Sequence, residues 1–234
     1  MQALLDFARG PLLIFAFAVF LFGMLRLLVL FVVEMRRAYV KAGDQAIPMG
    51  QLFRRSLGWV FPIHAFRGTR ILYTGASLAF HVGMLLVPLF LSGHIQLIRE
   101  GIGIGWPALP GGAADALTLA ALAGLFVLFF YRLFSRASRS LTTFQDWFLL
   151  VLCMVPFVSG WYVAHPAGNP LPFTLTYLIH LLSAELLLIL VPFTKLAHVA
   201  LFPFTQFNWE MGWHFVPESG DRVRIALGKE GEPV

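Results

Sequence analysis

The sequence predicts an all-α membrane protein, a bundle of five transmembrane helices. Hydrophobic residues make up 59% of the 234 residues and charged residues 12%, whereas soluble domains are about 45–50% apolar and roughly 25% charged. The apolar residues are collected into five long segments, and none alternates as the strands of a membrane β-barrel do. The single Cys excludes a disulfide framework, a Cys-rich zinc site and iron–sulfur ligation within the chain.

Each apolar segment is long enough to cross a bilayer as a helix, which takes about 20 residues. We expect residues 1–205 to form the transmembrane domain and residues 206–234 to form a cytoplasmic tail, either an interfacial anchor or a docking surface. The predicted spans are Pro11 to Val33, Ile71 to Ile98, Ala116 to Phe134, Trp147 to Val163, and Phe173 to Leu201.

The basic residues of the loops predict the orientation. From the first loop to the fourth, the loops contain seven, one, three and no Lys or Arg residues. Cytoplasmic loops carry the excess of positive charge, so we expect the N-terminus outside and the C-terminus in the cytoplasm. The net charge of +5 is spread over these loops rather than along one stripe. Membrane lipid is therefore the predicted partner, and nucleic acid is not.

Four of the seven histidines lie within or at the ends of only two spans: His81, His94, His180 and His198. Ionisable residues inside a bilayer are costly and usually functional. Imidazole is the commonest metal ligand, and two histidines on facing helices can hold a haem iron. Because the second and fifth spans run antiparallel, depth pairs His81 with His198 as ligands of an inner haem iron. His94 and His180 then become the ligands of an outer haem iron, which predicts two b haems.

The spacing of the histidines tests this pairing. His180 and His198 are 18 residues apart, about 27 Å and five helical turns, so an unbroken helix places them on one face. His81 and His94 are 13 residues apart, about 20 Å, and about 140° apart around an ideal helix. Pro88 lies between them and cannot donate a backbone hydrogen bond, so we expect a local kink or rewinding there.

The remaining polar residues of the spans give a weaker signal. Arg26 lies on the cytoplasmic half of the first span, where it could pair with a propionate of the inner haem; it could also snorkel to the interface or pair with Glu185. His64, His165 and His214 are more typical of surface or interfacial positions than of ligands.

A quinone site is expected near the outer haem. Quinol oxidation needs proton acceptors close to the outer surface. The polar groups predicted there are His165, Arg99 and Glu100.

Two segments resemble a known family, the membrane cytochrome b (gamma) subunit of respiratory nitrate reductase. They are FHVGMLLVPLFLSGH, Phe80 to His94, and HLLSAELLLILVPFTKLAH, His180 to His198. The resemblance implies a five-span, two-haem subunit in a bacterial or archaeal cytoplasmic (inner) membrane. It implies that quinol is oxidised near the outer haem and that electrons pass to a cytoplasmic iron–sulfur partner and further subunits.

The second span departs from the nitrate reductase pattern, in which its two ligands lie closer together. The 13-residue spacing and the following GHIQLIREGIGIGWPALP are more similar to a related branch. That branch anchors sulfite-reductase-linked and heterodisulfide-reductase-like membrane complexes.

The expected function is therefore a quinone-reactive electron-transfer subunit of a respiratory oxidoreductase, and not its terminal catalytic subunit. The alternative is a small proton-coupled transporter without haem, although five spans without an evident repeat disfavour it. A purely structural anchor is a third possibility, which leaves the paired histidines unexplained.

Overall fold

The computed structural model describes residues 1–41, 49–60, 71–212, 216 and 218–232. In these ranges the chain is mainly helical and contains no strand, which confirms the all-α prediction. The α-helices of these ranges are α1 (Gln2–Phe7), α2 (Leu13–Lys41), α3 (Met49–Val60), α4 (Ile71–Phe90), α5 (Ser92–Ile102), α6 (Gly111–Phe134), α7 (Arg136–Ser140), α8 (Phe144–Ala164), α9 (Phe173–Leu190), α10 (His198–Met211) and α11 (Ser219–Ala226).

Five helical segments of the described chain are long and apolar enough to cross a membrane, which confirms the predicted number of spans. Because a bilayer core needs about 20 helical residues, each segment suffices on its own. The direction in which they cross stays a prediction. The segments are Gln2–Arg37, Ile71–Phe90, Gly111–Phe134, Phe144–Ala164 and Phe173–Phe193.

Large apolar side chains are exposed along these spans. Ile14, Phe22 and Leu72 each expose more than 70% of their surface. Soluble monomers rarely expose contiguous apolar surface on this scale, so these side chains are suited to contact with lipid.

The first span begins earlier than predicted, because Pro11 does not end the helix. A single π-helical turn, Ala8–Leu12, contains Pro11 and joins α1 to α2. Such a turn accommodates a residue that has no backbone N–H to donate. The span therefore starts at Gln2 rather than at Pro11.

The second span is broken near Pro88, as expected, but at Leu91. Leu91 has extended backbone angles, φ −71° and ψ 131°, and separates α4 from α5. Proline is tolerated inside α4, and the ladder of backbone hydrogen bonds stops three residues later. His94 consequently lies in a new helix and not in the one that carries His81.

The fifth span is also broken, which corrects the prediction of one helix from Phe173 to Leu201. The α-helix ends at Leu190, and two 3₁₀ turns, Val191–Phe193 and Lys195–Ala197, precede α10. Pro192 removes a donor in the first turn, and Thr194 between the turns is extended, with φ −129° and ψ −178°. The argument that five unbroken turns place His180 and His198 on one face therefore does not hold.

The chain divides into two compact units: Met1–Leu13 with His64–Leu187, and Ile14–Ile63 with Leu188–Val234. The predicted division at residue 205 falls inside α10. As a division between membrane domain and tail, it stays a prediction.

In the first unit, α4 and α6 pack closely through small residues. A Cβ atom on Gly83 would lie 2.6 Å from the Cβ atom of Ala121 and 2.7 Å from the carbonyl oxygen of Leu117. Glycine is therefore required for this approach, as at many helix interfaces in membranes. Val87 and Phe157 join Ala121 in a buried cluster at this packing.

In the second unit, α2 contacts the broken end of the fifth span. A Cβ atom on Gly23 would lie 2.5 Å from the Cβ atom of Pro192. Phe31 and Phe204 form an aromatic contact with ring centroids 5.6 Å apart. These contacts hold α2 beside the 3₁₀ turns and α10.

Candidate functional site

The break at Leu91 positions His94. At the end of α4 the carbonyls of Pro88, Leu89 and Phe90 lose their helical donors, and each finds another partner. The Nδ1 atom of His94 bonds to the carbonyl of Pro88 at 3.0 Å. The Trp106 indole donates to the carbonyl of Leu89 at 2.8 Å, and the Leu109 amide donates to that of Phe90 at 2.9 Å. The imidazole is thus part of the local hydrogen bonding that closes the broken helix.

His180 is held against α8 in a comparable way. Its Nδ1 atom bonds to the carbonyl of Pro156 at 2.9 Å, and the Ser159 hydroxyl lies 3.5 Å from the same atom. Gly160 leaves the space for the ring, because a Cβ atom there would lie 2.9 Å from Cε1 and 3.1 Å from Nδ1 of His180. Helix α8 therefore provides both the hydrogen-bond acceptor for His180 and the space for its ring.

The structure brings His94 and His180 together within the first unit. Their ring centroids are 6.0 Å apart and the ring planes differ by 10°. A metal–imidazole bond is about 2 Å long, so two imidazoles on opposite sides of one ion have centroids roughly 6 Å apart. The separation is close to this value, so the two rings are near enough to hold one iron ion between them; their ligation of iron stays a prediction.

His81 and His198 share the same type of backbone bond. The Nδ1 atom of His81 bonds to the carbonyl of Ser77 at 2.6 Å, and that of His198 bonds to the carbonyl of Lys195 at 2.6 Å. Both residues are exposed. They belong to different units, and their pairing stays a prediction.

All four predicted ligands therefore bond through Nδ1 to a backbone carbonyl. A carbonyl oxygen only accepts hydrogen bonds, so Nδ1 must carry the proton and the neutral ring then has its lone pair on Nε2. Partners of this kind fix the tautomer and orientation of metal-ligating histidines. The donor chemistry of the four residues thus fits haem iron, which takes two axial protein ligands; their role as ligands stays a prediction.

Two of the three quinone-site candidates lie at one cavity. Arg99 and Glu100 line a cavity of about 470 Å³ with the Trp106 side chain. The Glu100 carboxylate accepts a hydrogen bond from Gln96 at 2.9 Å. The Arg99 guanidinium lies close to Gly105, where a Cβ atom would be 2.5 Å from Nε. Charged and aromatic groups therefore meet where the chain leaves α5.

His165, the third candidate, does not line this cavity. Its Nε2 atom lies 3.3 Å from a carboxylate oxygen of Asp115, and its Nδ1 atom bonds to the carbonyl of Trp161 at 3.0 Å. The ring also stacks on the Trp161 indole, with centroids 4.0 Å apart. The ring therefore links the end of α8 to the start of α6.

Arg26 is exposed on α2, and its predicted role beside a propionate stays a prediction. The alternative partner, Glu185, has no hydrogen-bond partner on either carboxylate oxygen among the described residues. His64 and His214 lie outside the described residues.

Sequence reasoning missed the residues that support the site. Asp115 carries a signal, because it is an acidic residue directly before the apolar run of the third span. Trp106 and Pro156 act through their positions relative to other helices, and Gly160 acts by lacking a side chain. Proline and glycine inside the fourth span were the available signal for close packing against it.

The described helices define a multi-pass helical membrane protein, and a pair of imidazoles lies within it. A protein of Nitratidesulfovibrio vulgaris strain Hildenborough, named only "Protein", is 35% identical over 224 residues, which cover 93% of this chain and 96% of the relative. The chain belongs to the same family as this relative, whose name specifies no ligand, substrate or partner. No protein-family model matches the chain, and no solved structure matches it.

Proposed function

We propose that this protein is a membrane cytochrome b with two bis-histidine b haems, the quinone-reactive subunit of a respiratory oxidoreductase. The observation that carries the proposal is the His94–His180 pair. The ring centroids of the two imidazoles lie 6.0 Å apart, and each ring bonds through Nδ1 to the carbonyl of a proline in a membrane helix. Packing alone does not call for two imidazoles held in the tautomer that ligates iron.

The residues would divide between two haems. His94 and His180 would hold the outer haem, and His81 and His198 the inner one, with Arg26 at a propionate of the inner haem. Bound haem supplies one-electron redox chemistry with a potential set by its axial ligands and surroundings. The carbonyls of Pro88 and Pro156 restrain the rotation of the two rings, which would limit reorganisation around a haem held between them.

The cavity at Arg99 and Glu100 is the proposed quinone site. Its volume of about 470 Å³ lies within the range of small-molecule sites, roughly 300–1,000 Å³. Arg99 would orient a quinol oxygen, and Glu100 would accept a proton. The His165–Asp115 pair offers a second acceptor on the same side of the predicted bundle. Quinol oxidation is favoured because the loops expected outside carry these proton acceptors.

The predicted topology assigns the other end of the electron path. If the basic loops are cytoplasmic, the inner haem faces the cytoplasm, where an iron–sulfur protein would accept the electrons. The resemblance to the nitrate reductase gamma subunit, and to the branch of sulfite-reductase-linked and heterodisulfide-reductase-like complexes, supports such a partner. We propose the cytoplasmic (inner) membrane of a bacterium or archaeon as the location.

A visible spectrum of the purified protein tests the proposal. The reduced-minus-oxidised difference should show low-spin b haem. His81→Ala and His198→Ala should each remove the inner haem and leave the outer one. A folded but colourless protein would refute the cytochrome and favour the proton-coupled transporter. Loss of only the outer haem in either variant would refute the pairing.

A further inference from the structure

Glu185 lies in the interior of the fifth span, and its carboxyl group has no role in the proposed haem sites. It lies within α9, and only 2% of its surface is exposed. Charged residues inside membrane helices are rare and usually serve ion or proton transfer.

Neither carboxylate oxygen of Glu185 has a hydrogen-bond partner among the described residues. No charged or titratable side chain in these ranges, on α9 or on another helix, donates to it. The other buried polar side chains of the spans behave differently. Ser183 donates to the carbonyl of His180 at 3.1 Å, and Thr118 to that of Ala114 at 2.8 Å. Glu185 therefore differs from these buried hydroxyl groups, each of which has a hydrogen-bond partner.

An ionised carboxylate without a donor is strongly unfavourable in an apolar interior, and a buried acid responds by binding a proton. The neutral carboxylic acid retains one O–H donor and a carbonyl acceptor, which cost far less to bury. The described packing therefore suits the protonated form.

We propose that Glu185 is a proton-carrying carboxyl group of the membrane domain, protonated when the outer haem iron is reduced and able to release its proton on oxidation. The redox-linked half of this proposal rests on the proposed function. Five residues of helix place Glu185 about 7.5 Å along the axis from His180. An iron held by His180 would be close enough for its charge to affect proton binding by Glu185.

If a haem is bound at His180, one electron from quinol would reduce its iron from Fe³⁺ to Fe²⁺ and remove one unit of positive charge near Glu185. The Glu185 carboxylate then binds one proton from quinol oxidation or from outside water and becomes the carboxylic acid. A unit change in charge at a distance of about 10 Å alters proton binding roughly tenfold at an effective dielectric constant of about 20.

Infrared spectroscopy of the intact protein in lipid tests both halves. At neutral pH the reduced protein should show the carbonyl stretch of a protonated carboxylic acid, shifted in D₂O. The band should be absent in Glu185→Gln, shifted in Glu185→Asp and unchanged in Glu34→Gln, a control for an exposed carboxylate that is paired with Arg37. Its amplitude should fall on oxidation.

The outcomes separate this proposal from the proposed function. Absence of a protonated-acid band that depends on Glu185 would overturn the inference, whether or not haem is bound. If the protein contains haem but the amplitude of the Glu185 band is the same in the oxidised and reduced states, the redox link would be overturned. A haem-free protein that retains the band would refute the cytochrome and the link while supporting Glu185 as a proton site.

Discussion

Replacing Gly160 by Ala should displace His180 and loosen the outer haem while the helix itself gains stability. The added Cβ atom would lie 2.9 Å from Cε1 and 3.1 Å from Nδ1 of the ring. Ordinary carbon contacts are about 3.5–4.0 Å, so the ring must move by roughly 0.6–1 Å. That movement strains the bond to the carbonyl of Pro156, which is 2.9 Å long.

The size of the effect follows from the support that the ring loses. Weakening a partner of a metal-ligating histidine typically lowers metal affinity about 10–100-fold, or about 1.4–2.7 kcal/mol. Ala is better than Gly in a helix by about 1 kcal/mol. Haem loss from Gly160→Ala would therefore not reflect a weaker helix α8.

Haem content and midpoint potentials measured on the same preparation provide the assay. We expect Gly160→Ala to lose part of the outer haem, or to shift its potential, while the inner haem is unchanged. Gly75→Ala is the matched control, a glycine inside α4 with no atom within 4 Å of an added Cβ. If both haems of Gly160→Ala kept wild-type content and potential, the placement of His180 against α8 would be refuted.

Three further predictions concern the helix packing, the cavity at Arg99 and Glu100, and the His165–Asp115 pair. Gly83→Ala should lower the thermal stability in detergent by several degrees, because its Cβ would lie 2.6 Å from that of Ala121; a wild-type melting temperature would contradict the packing. Trp106→Phe removes the donor to the carbonyl of Leu89 at the broken end of α4. It should weaken quinol binding, as measured by a titration of haem reduction. Asp115→Asn removes the carboxylate beside His165. It should slow haem reduction by quinol at least about tenfold at unchanged haem content, and an unchanged rate would exclude the pair as proton acceptor.

The number and class of the spans could be predicted from the sequence, since each lipid-crossing helix must be apolar along its own length. The exact positions at which two of these spans are broken could not be predicted. Pro88 and Pro192 mark the two broken spans, but the breaks occur at Leu91 and in the 3₁₀ turns up to Ala197. Where a helix breaks depends on which other groups satisfy the carbonyls that lose their donors.

The proximity of His94 and His180 was predictable for a related reason. Depth in a bilayer limits which residues of antiparallel helices can meet, so His94 and His180 could be paired without knowing the packing. The parts supplied by Pro156 and Gly160 could not be predicted, because they depend on how α8 faces the ring of His180. Asp115 was missed because a charge at the edge of an apolar run looks like a span boundary.

The haem stoichiometry of the purified chain and of two variants is the most direct test of the central claim. The pyridine haemochrome assay should give two b haems per chain for the wild type. It should give one for His94→Ala and one for His180→Ala, with the same spectral component missing from both. A folded wild-type protein with no haem, or two variants that lose different haems, would contradict the account.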